Sequence, residues 1–234
     1  MINKNILIIG GSGLVGASIS NFLIKKKFNV YIIDRKKNKK FEKNNFLKIN
    51  INEKSDYKKI VKYSLKKFKN IDVVINCIYP AKQKSKYYYK DIIKHLEPFI
   101  KLTKEFGEYF SKKKGGQIIN FASIYGKILP RFEIYRSSRI KMPIDYAISK
   151  NLIIQLSKFY AKLYLKNKVK INTISLGGIF DKQDKKFIKK YSKFVGSNNL
   201  LSSNDINDFI LYLLKSNSMK FTGQDFCFDD GFTL

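Results

Sequence analysis

Four glycines close to the amino terminus have the spacing of a phosphate-binding turn. They follow an apolar run and open a segment of helical period, and they are Gly10, Gly11, Gly13 and Gly16. The first of them would allow a tight turn and a close approach of the backbone to a pyrophosphate, whose charge would face the free N–H groups of the helix start. Gly16 would let the helix pack closely against the strand. This arrangement predicts the binding of a dinucleotide.

The choice of dinucleotide depends on two residues at the end of the second apolar run, Asp34 and Arg35. A carboxylate here can accept hydrogen bonds from both ribose hydroxyls of NAD, and it would repel the 2′-phosphate of NADP. A guanidinium beside it could receive that phosphate. We expect the carboxylate to dominate, so that NAD is the cofactor and NADP binds more weakly.

A tyrosine and a lysine four residues apart lie on one face of a helix, where the ammonium can act on the phenol. The spacing alone is uninformative, because a chain with 15 tyrosines and so many lysines gives about three such pairs by chance. Only one pair starts a helix after a strand, and that strand ends in Ser123; strand ends and helix starts meet at the carboxyl edge of a parallel sheet. We therefore expect this pair in the catalytic site and the others on solvated helix faces. The four pairs are Tyr63/Lys67, Tyr109/Lys113, Tyr146/Lys150 and Tyr164/Lys168.

Apolar runs of strand length alternate with longer segments of helical period along the whole chain. This alternation predicts an α/β fold, a single doubly wound Rossmann-type domain over residues 1–234 with a seven-stranded parallel sheet and helices on both faces. The predicted strands are Ile6–Gly10, Val30–Asp34, Phe46–Ile51, Ile71–Cys77, Gln117–Ala122, Lys170–Ser175 and Asp225–Phe228. The predicted helices are Val15–Lys27, Ser55–Phe68, Tyr89–Lys112, Tyr146–Lys166 and Asn204–Leu214.

The composition narrows the classes of function. No run reaches the roughly 18 consecutive apolar residues that a membrane span needs. Two cysteines and one histidine leave no set of metal ligands and no disulfide framework, so we expect a reduced, cytoplasmic protein without a metal, with Cys77 and Cys227 buried in strands. The formal charge of +29 rests on lysine, since only four of the 47 basic residues are arginine. We interpret it as a solvated surface, with nucleic-acid binding as the alternative.

Taken in order, these pieces resemble the short-chain dehydrogenase/reductase family over essentially the whole chain. The glycine turn, Asp34, Ser123 and Tyr146 with Lys150 match the family's motifs. So do Asn76 in Val74-Ile75-Asn76-Cys77, Asn172 through Gly177, and Thr222-Gly223-Gln224 before Asp229-Asp230-Gly231. The sequence departs from the family at Cys77-Ile78-Tyr79, where Asn-Ala-Gly is usual, at Leu176, where a proline is usual, and at Asp181, where a threonine often contacts the cofactor.

The resemblance implies hydride transfer between a nicotinamide and a substrate carbon. Tyr146 would take the proton of a substrate hydroxyl or return one to a carbonyl, Ser123 would hydrogen-bond the same oxygen, and Lys150 would also hold the nicotinamide ribose. An ammonium near 4 Å is worth up to roughly 4 kcal/mol at a surface-like dielectric, about three pKa units, so we expect Lys150 to lower the pKa of Tyr146 towards neutrality. The family's relay asparagine falls on His95, which could anchor a water in the same way.

The resemblance also assigns binding residues. Those expected to contact the cofactor are Gly10, Gly11, Ser12, Gly13, Leu14, Val15, Gly16, Asp34, Arg35, Asn50, Ile51, Asn76, Cys77, Ile78, Tyr146, Lys150, Gly177, Gly178 and Ile179. Those expected to contact the substrate are Ser123, Tyr125, Arg131, Tyr135, Gly178 and Phe180.

The segment between Ser123 and Tyr146 is about ten residues longer than in most family members, and connections of this length are usually functional. Its insert, at about 127–145, holds three of the four arginines, Arg131, Arg136 and Arg139. Because a guanidinium can grip phosphate or carboxylate with two parallel hydrogen bonds, we expect Arg131 to bind an anionic group of the substrate. The insert and its flanks resemble a branch associated with flagellin modification and legionaminic-acid-type sugar biosynthesis.

We therefore expect an NAD-dependent oxidoreductase that acts on a carbohydrate hydroxyl or ketone. The resemblance suggests a sugar phosphate or a nucleotide sugar of a surface-glycan pathway as substrate, and a homodimer or homotetramer joined through the two long helices. The alternatives are a dehydratase or epimerase with tightly bound NAD, and a non-catalytic NAD-sensing protein.

Overall fold

A parallel sheet of seven strands forms the centre of the molecule. The computed structural model describes residues 4–36, 41, 45–51, 55–79, 88–136 and 138–234. The strands are β1 (Asn5–Ile9), β2 (Asn29–Asp34), β3 (Phe46–Lys48), β4 (Val73–Asn76), β5 (Gly116–Ser123), β6 (Val169–Leu176) and β7 (Asp225–Phe228). Their order in the sheet is β3-β2-β1-β4-β5-β6-β7, which confirms the predicted α/β class.

The strands form where apolar residues run continuously, because a parallel sheet is covered on both faces. In β1, the four residues from Ile6 to Ile9 are all fully buried. β1 pairs with β2 on one side and with β4 on the other. The strand order therefore runs outward from β1 in both directions, with β2 and β3 on one side and β4 to β7 on the other. A crevice opens at the carboxyl ends of the strands where the order reverses, and ligands of such folds bind there.

Helices cover both faces of the sheet. They are α1 (Leu14–Lys25), α2 (Tyr57–Phe68), α3 (Tyr88–Lys113), α4 (Phe132–Tyr135), α5 (Ile144–Leu163), α6 (Lys185–Tyr191) and α7 (Asn207–Lys215). The apolar sides of α2, α3 and α5 pack in one buried cluster, and those of α1 and α7 pack in a second. The five predicted helices are present, with ends that differ by up to three residues from the prediction.

Two short helices, α4 and α6, were not predicted, and they pack against each other beyond the sheet. Asp184 caps the amino terminus of α6, because its side chain accepts a hydrogen bond of 2.9 Å from the Phe187 N–H. The side chains of both helices join an aromatic cluster at the carboxyl edge of the sheet, which includes Tyr125, Ile134, Phe187, Tyr191 and Phe232.

The expectations about the exposure of Tyr164 and Cys227 are wrong. Tyr164 is buried, because its ring stacks on Tyr160 with centroids 5.8 Å apart. Cys227 is exposed, because it lies in β7 at the edge of the sheet, where packing is incomplete. Of the helices in the described ranges, none combines the length and apolar character that crossing a bilayer requires.

Candidate active site

The crevice beside β1, β2 and β4 is a cleft of about 410 Å³. Ten residues assigned to the site from the sequence line it together: Gly10, Ser12, Gly13, Asp34, Arg35, Asn50, Ile51, Cys77, Ile78 and His95. They come from distant parts of the chain and meet because parallel strands end at one edge of the sheet.

The glycine turn joins β1 to α1, and two of its positions exclude any side chain. Gly10 has a φ of +80°, and a Cβ there would lie 2.7 Å from the Cys77 carbonyl oxygen. A Cβ on Gly16 would lie 2.3 Å from the Gly10 carbonyl oxygen. Leu14 and Val15 form the first turn of α1, and no side-chain hydrogen bond caps this helix at Gly13. Its first N–H groups can therefore bind an anion in the cleft.

The Asp34 carboxylate is fixed at the end of β2 by two backbone donors. The Ser12 N–H donates to Oδ2 at 2.9 Å, and the Lys36 N–H donates to Oδ1 at 3.2 Å. The carboxylate thus ties the glycine turn to β2 while facing the same cleft as Arg35. This is the position from which it could accept hydrogen bonds from a ribose.

β4 ends at the opposite wall of the cleft. Asn76 is 1% exposed, and its Oδ1 accepts a hydrogen bond from the Ile78 N–H, while Nδ2 has no partner among the described residues. Burial raises the pKa of the neighbouring Cys77 thiol, against a weaker opposite effect of Lys150. The thiol is therefore neutral, but the expectation that Cys77 is buried in a strand is wrong, because Cys77 follows the end of β4 and is only half-buried at the cleft.

These features fit a nicotinamide dinucleotide. The chain offers a turn in which glycine is needed for close approach, an open helix start for a pyrophosphate, a carboxylate for a ribose, and a buried amide with an unused donor. Gly10 to Gly16 would hold the phosphates, Asp34 the adenosine ribose, and Asn76 with Lys150 the nicotinamide end.

Ser123, Tyr146 and Lys150 lie together beside the cleft, next to Tyr79, but none of the three is among the residues that line it. The Lys150 Nζ donates to the Phe121 carbonyl oxygen at 3.2 Å and lies 5.7 Å from the centroid of the Tyr146 ring. The Ser123 Oγ accepts a hydrogen bond of 3.3 Å from the Tyr125 N–H, and the same hydroxyl favours the ionised form of the Tyr146 phenol, lowering its pKa. The end of β5 can approach α5 this closely because Gly126 lies against the helix backbone, where a Cβ would be 2.7 Å from the Lys150 carbonyl carbon.

The expectation that Lys150 lowers the pKa of Tyr146 towards neutrality is wrong. Burial raises the pKa of Tyr146 to about 12, although the Ser123 hydroxyl acts in the opposite direction. Burial also lowers the pKa of Lys150 to about 8. Loss of water penalises both the phenolate of Tyr146 and the ammonium of Lys150. A surface-like dielectric contains no such penalty, so it predicts a lowered pKa for the phenol.

His95 faces the cleft from α3, as its sequence position implied. Its Nδ1 lies 3.8 Å from the Oδ2 of Asp145, and both side chains are about nine-tenths buried. Asp145 directly precedes Tyr146 in the first turn of α5. A role for His95 in proton relay stays a prediction.

Three of the residues assigned to the substrate, Tyr125, Arg131 and Tyr135, lie in the aromatic cluster or against it. The Tyr135 hydroxyl donates to the Tyr125 hydroxyl at 3.0 Å. The Arg131 guanidinium carbon lies 4.4 Å from the centroid of the Phe194 ring and 5.5 Å from that of Phe232. Its Nε is buried without a hydrogen-bond partner among the described residues.

The segment after β6 adds the remaining assigned residues. The Gly178 N–H donates to the Tyr191 hydroxyl, and the Gly178 carbonyl accepts a hydrogen bond of 2.9 Å from the Leu201 N–H. Ile179 forms an isolated bridge with Leu201, and Phe180 is exposed.

Gly11, in the glycine turn, does not line the cleft. A Cβ at this position would lie 2.9 Å from the Ile32 side chain.

Several site residues were not assigned from the sequence. The Tyr79 ring lies 6.2 Å from the Tyr146 ring, and Lys94 and Pro98 line the cleft beside His95. Asp145 contacts His95. Two features of the sequence could have indicated these residues. Asp145 directly precedes Tyr146, and Pro98 follows the single histidine, His95, by one helical turn.

Comparisons with known proteins show which family the chain belongs to. The family model described as enoyl-(acyl carrier protein) reductase matches residues 15–233. The chain is 30% identical over 253 residues to post-translational flagellin modification protein A of Campylobacter coli, with 99% of each chain covered.

Solved structures agree as well. A short chain dehydrogenase from Leptospira borgpetersenii with bound NAD+ superposes with a TM-score of 0.85 at 26% identity, covering 99% of this chain and 93% of that one. A short chain dehydrogenase from Bacillus anthracis has the same fold, with a TM-score of 0.81 at 22% identity, covering 100% and 98% of the two chains. The chain therefore belongs to the short-chain dehydrogenase/reductase family, and it is an oxidoreductase.

Proposed function

We propose that this protein uses NAD to oxidise or reduce a carbohydrate that carries an anionic group, a sugar phosphate or a nucleotide sugar, in the biosynthesis of a surface glycan. The relative from Campylobacter coli is named for flagellin modification, which supports the pathway. The relative from Leptospira borgpetersenii binds NAD+, and the fixed Asp34 carboxylate supports the same cofactor here.

The proposal that the substrate carries an anionic group depends on the surroundings of the Arg131 guanidinium. Its guanidinium rests on two aromatic rings, and no carboxylate among the described residues forms an ion pair with it. A cation held over aromatic faces keeps its hydrogen-bonding edge available, and an oxyanion suits that edge. The Tyr125 ring, whose hydroxyl accepts from Tyr135, packs on the same Phe232 ring as this guanidinium.

The catalytic side chains would act on the oxygen of the reacting carbon. Ser123 would hydrogen-bond this oxygen, and Tyr146 would take its proton in oxidation or return one in reduction. The buried ammonium of Lys150 would stabilise the phenolate form. When bound, NAD supplies the hydride acceptor or donor. Tyr79, beside the Tyr146 ring, would shield this oxygen from water.

A dehydratase or epimerase would use the same residues with a cofactor that is regenerated in each cycle. Such an enzyme would retain nucleotide through purification and release no reduced nicotinamide. We favour net oxidation or reduction because the cleft for the cofactor is open to solvent along Asp34, Arg35 and Lys36, which suits exchange of the dinucleotide.

We also propose a cytoplasmic homo-oligomer. α5 exposes a stripe of apolar side chains at spacings of four and seven residues, which places them on one helix face. They are Ile144, Ile148, Leu152, Phe159 and Leu163. A stripe of this kind is typical of a protein interface.

The test is a screen of the purified protein with NAD and with NADP against sugar phosphates, nucleotide sugars and the matching neutral sugars, following reduced nicotinamide by absorbance. Tyr146→Phe is the matched control for background reduction. We expect turnover of an anionic sugar and little turnover of its neutral counterpart. Equal turnover of neutral sugars, or turnover of a non-carbohydrate alone, would contradict the proposal.

A further inference from the structure

A second cavity, of about 400 Å³, lies at the amino ends of the strands. It is on the opposite edge of the sheet from the cleft, because Lys4 directly precedes β1 and Gln117 and Lys170 are the second residues of β5 and β6. Among the described residues, none lines both. A cavity of this size is in the range of small-molecule sites, and the proposed reaction makes no use of it.

The walls of this cavity carry an excess of positive charge. Five lysines and one aspartate line it, and the lysines are Lys4, Lys113, Lys114, Lys168 and Lys170. The aspartate, Asp72, is already paired with Lys113 and accepts a hydrogen bond of 2.9 Å from the Asn5 N–H. Within the described ranges, none of the other four lysines has a carboxylate at salt-bridge distance. Such walls attract an anion.

A buried amide in the same cavity indicates that it holds a ligand. Gln117 lines the cavity and is 2% exposed, and neither its Oε1 nor its Nε2 has a hydrogen-bond partner among the described residues. Burying an amide without a partner costs free energy. The side chain lies on the face of the sheet covered by α1 and α7, because Ile119 and Phe121, two and four residues later in β5, pack in that cluster. A ligand in the cavity would satisfy this amide.

Two lysines flank the amide on the same face of the sheet. Lys170 is the register partner of Gln117 in the neighbouring strand, and Lys4 reaches this face from the start of β1. The Lys170 Nζ donates to the Ser216 carbonyl oxygen at 2.6 Å, and the Lys4 Nζ donates to the Leu214 carbonyl oxygen, both at the carboxyl end of α7. An ammonium has three donors, so each lysine retains donors for a ligand.

The two ammonium groups also destabilise each other's charge. Burial and the charge of Lys4 both lower the pKa of Lys170. Burial lowers the pKa of Lys4 as well, against an opposite effect of Asp72. A bound anion would offset these effects, so it would be held more tightly here than by isolated lysines on the surface.

We propose that this cavity binds a small molecule that carries at least two phosphate groups. The ammonium groups would hold the phosphates, because lysine binds phosphate as a point charge, and Gln117 would hydrogen-bond the same ligand. A single phosphate ion would fill only part of the cavity and leave much of the lysine charge uncompensated. The ligand would bind together with NAD, at the other edge of the sheet, and the inference does not depend on the identity of the substrate.

The first experiment titrates the full chain with pyrophosphate by calorimetry, with NAD present in excess to fill the phosphate site expected at the glycine turn. At about 0.15 M salt we expect saturable binding, with a Kd below about 1 mM. The double variant Lys4→Gln/Lys170→Gln should weaken binding at least about tenfold, because two charge-assisted hydrogen bonds are weakened.

The matched control is Lys62→Gln/Lys66→Gln, which removes the same charge from exposed positions of α2. It should leave the affinity for pyrophosphate nearly unchanged. No saturable binding in wild type, or an equal loss in the two double variants, would overturn the proposal, because the lysines of the cavity would then act only as part of a positive surface.

A third variant separates loss of the site from loss of the fold. Gln117→Glu keeps the size of the side chain and places a negative charge beside Lys170. It should abolish pyrophosphate binding by charge repulsion, while its melting temperature without pyrophosphate should be at least that of wild type, because a carboxylate here compensates the buried ammonium. Retained binding would overturn the site, and a lower melting temperature would overturn the placement of the amide beside the ammonium groups.

Phosphate groups could also reach the cavity on the backbone of a nucleic acid, so a short single-stranded oligothymidylate is titrated into wild type and Gln117→Glu. We expect the two affinities to be nearly equal, because a longer chain would bind exposed lysines over a wide surface. A loss in Gln117→Glu as large as that for pyrophosphate would overturn the proposal of a small molecule and assign the cavity to nucleic acid.

Discussion

The Asp34 carboxylate at the end of β2 accepts a hydrogen bond of 2.9 Å from the Ser12 N–H in the glycine turn. One acidic side chain thus fixes the loop expected to bind phosphates and, at the same time, presents negative charge to the cleft. This coupling links cofactor choice to the shape of the turn.

The first prediction concerns that choice. NAD should bind at least ten times more tightly than NADP, about 1.4 kcal/mol, because the fixed carboxylate would repel a 2′-phosphate more strongly than the exposed Arg35 attracts it. Asp34→Ala should weaken NAD and abolish the preference. Arg35→Ala is the control and should affect only NADP. Fluorescence titration with both reduced cofactors measures these affinities; equal affinities in wild type would contradict the prediction.

The second prediction concerns proton transfer. Tyr146→Phe should lower kcat at least about a hundredfold, the low end for a general acid or base, with NAD affinity nearly unchanged. Lys150→Ala should damage both kcat and NAD affinity, because Lys150 is expected to contact the ribose as well. Steady-state kinetics and NAD titration separate the two effects. An active Tyr146→Phe variant would reassign the catalytic residue.

The third prediction concerns the substrate. Arg131→Lys should raise KM for a phosphorylated or nucleotide-linked sugar at least about tenfold and leave NAD affinity unchanged, since a lysine cannot reproduce the planar fork. Arg139→Lys is the matched control, because Arg139 is exposed and contacts Asp184 through its backbone N–H. Wild-type kinetics in Arg131, Arg136 and Arg139 variants alike would show that the insert does not bind the anion.

The fourth prediction follows from the burial of Lys150, which lowers its pKa from 10.5 to about 8. Holding this ammonium inside the folded protein costs about 3 kcal/mol, so Lys150→Met should be more stable than wild type at pH 7 by up to that amount. Between about pH 8 and 10.5 the Lys150 side chain is neutral in the folded chain and charged in the unfolded chain. The free-energy cost of burying it therefore falls as the pH rises through this window. Urea unfolding at pH 7 and near pH 10 should show the gap narrowing; a gap independent of pH would exclude this cause.

The fifth prediction concerns assembly. Phe159 is 64% exposed within the apolar stripe of α5, so Phe159→Lys should weaken oligomerisation at least about tenfold, since a charge would be buried without a partner. Tyr63→Lys, at a 53% exposed tyrosine on α2, is the control and should leave the molar mass unchanged. Light scattering after size exclusion measures both, and a monomeric wild type would remove the basis of the proposal.

The sequence alone determined the elements and the chemistry that they carry. Strands, long helices, the glycine turn and the positions of Asp34, Ser123, Tyr146 and Lys150 follow from patterns between neighbours in the chain. Such patterns are local, because side-chain period and backbone freedom depend on residues a few positions apart. The edge at which they meet follows from the rule for parallel sheets.

Tertiary structure decided what depends on burial and on distant partners. The pKa of Tyr146 rises instead of falling, because packing removes water from both the phenol and the Lys150 ammonium. The Arg131 guanidinium packs on the rings of Phe194 and Phe232, which are distant from it in the sequence. His95 meets Asp145 only because α3 packs on α5. Desolvation and long-range pairing are properties of the packed chain, and no local pattern encodes them.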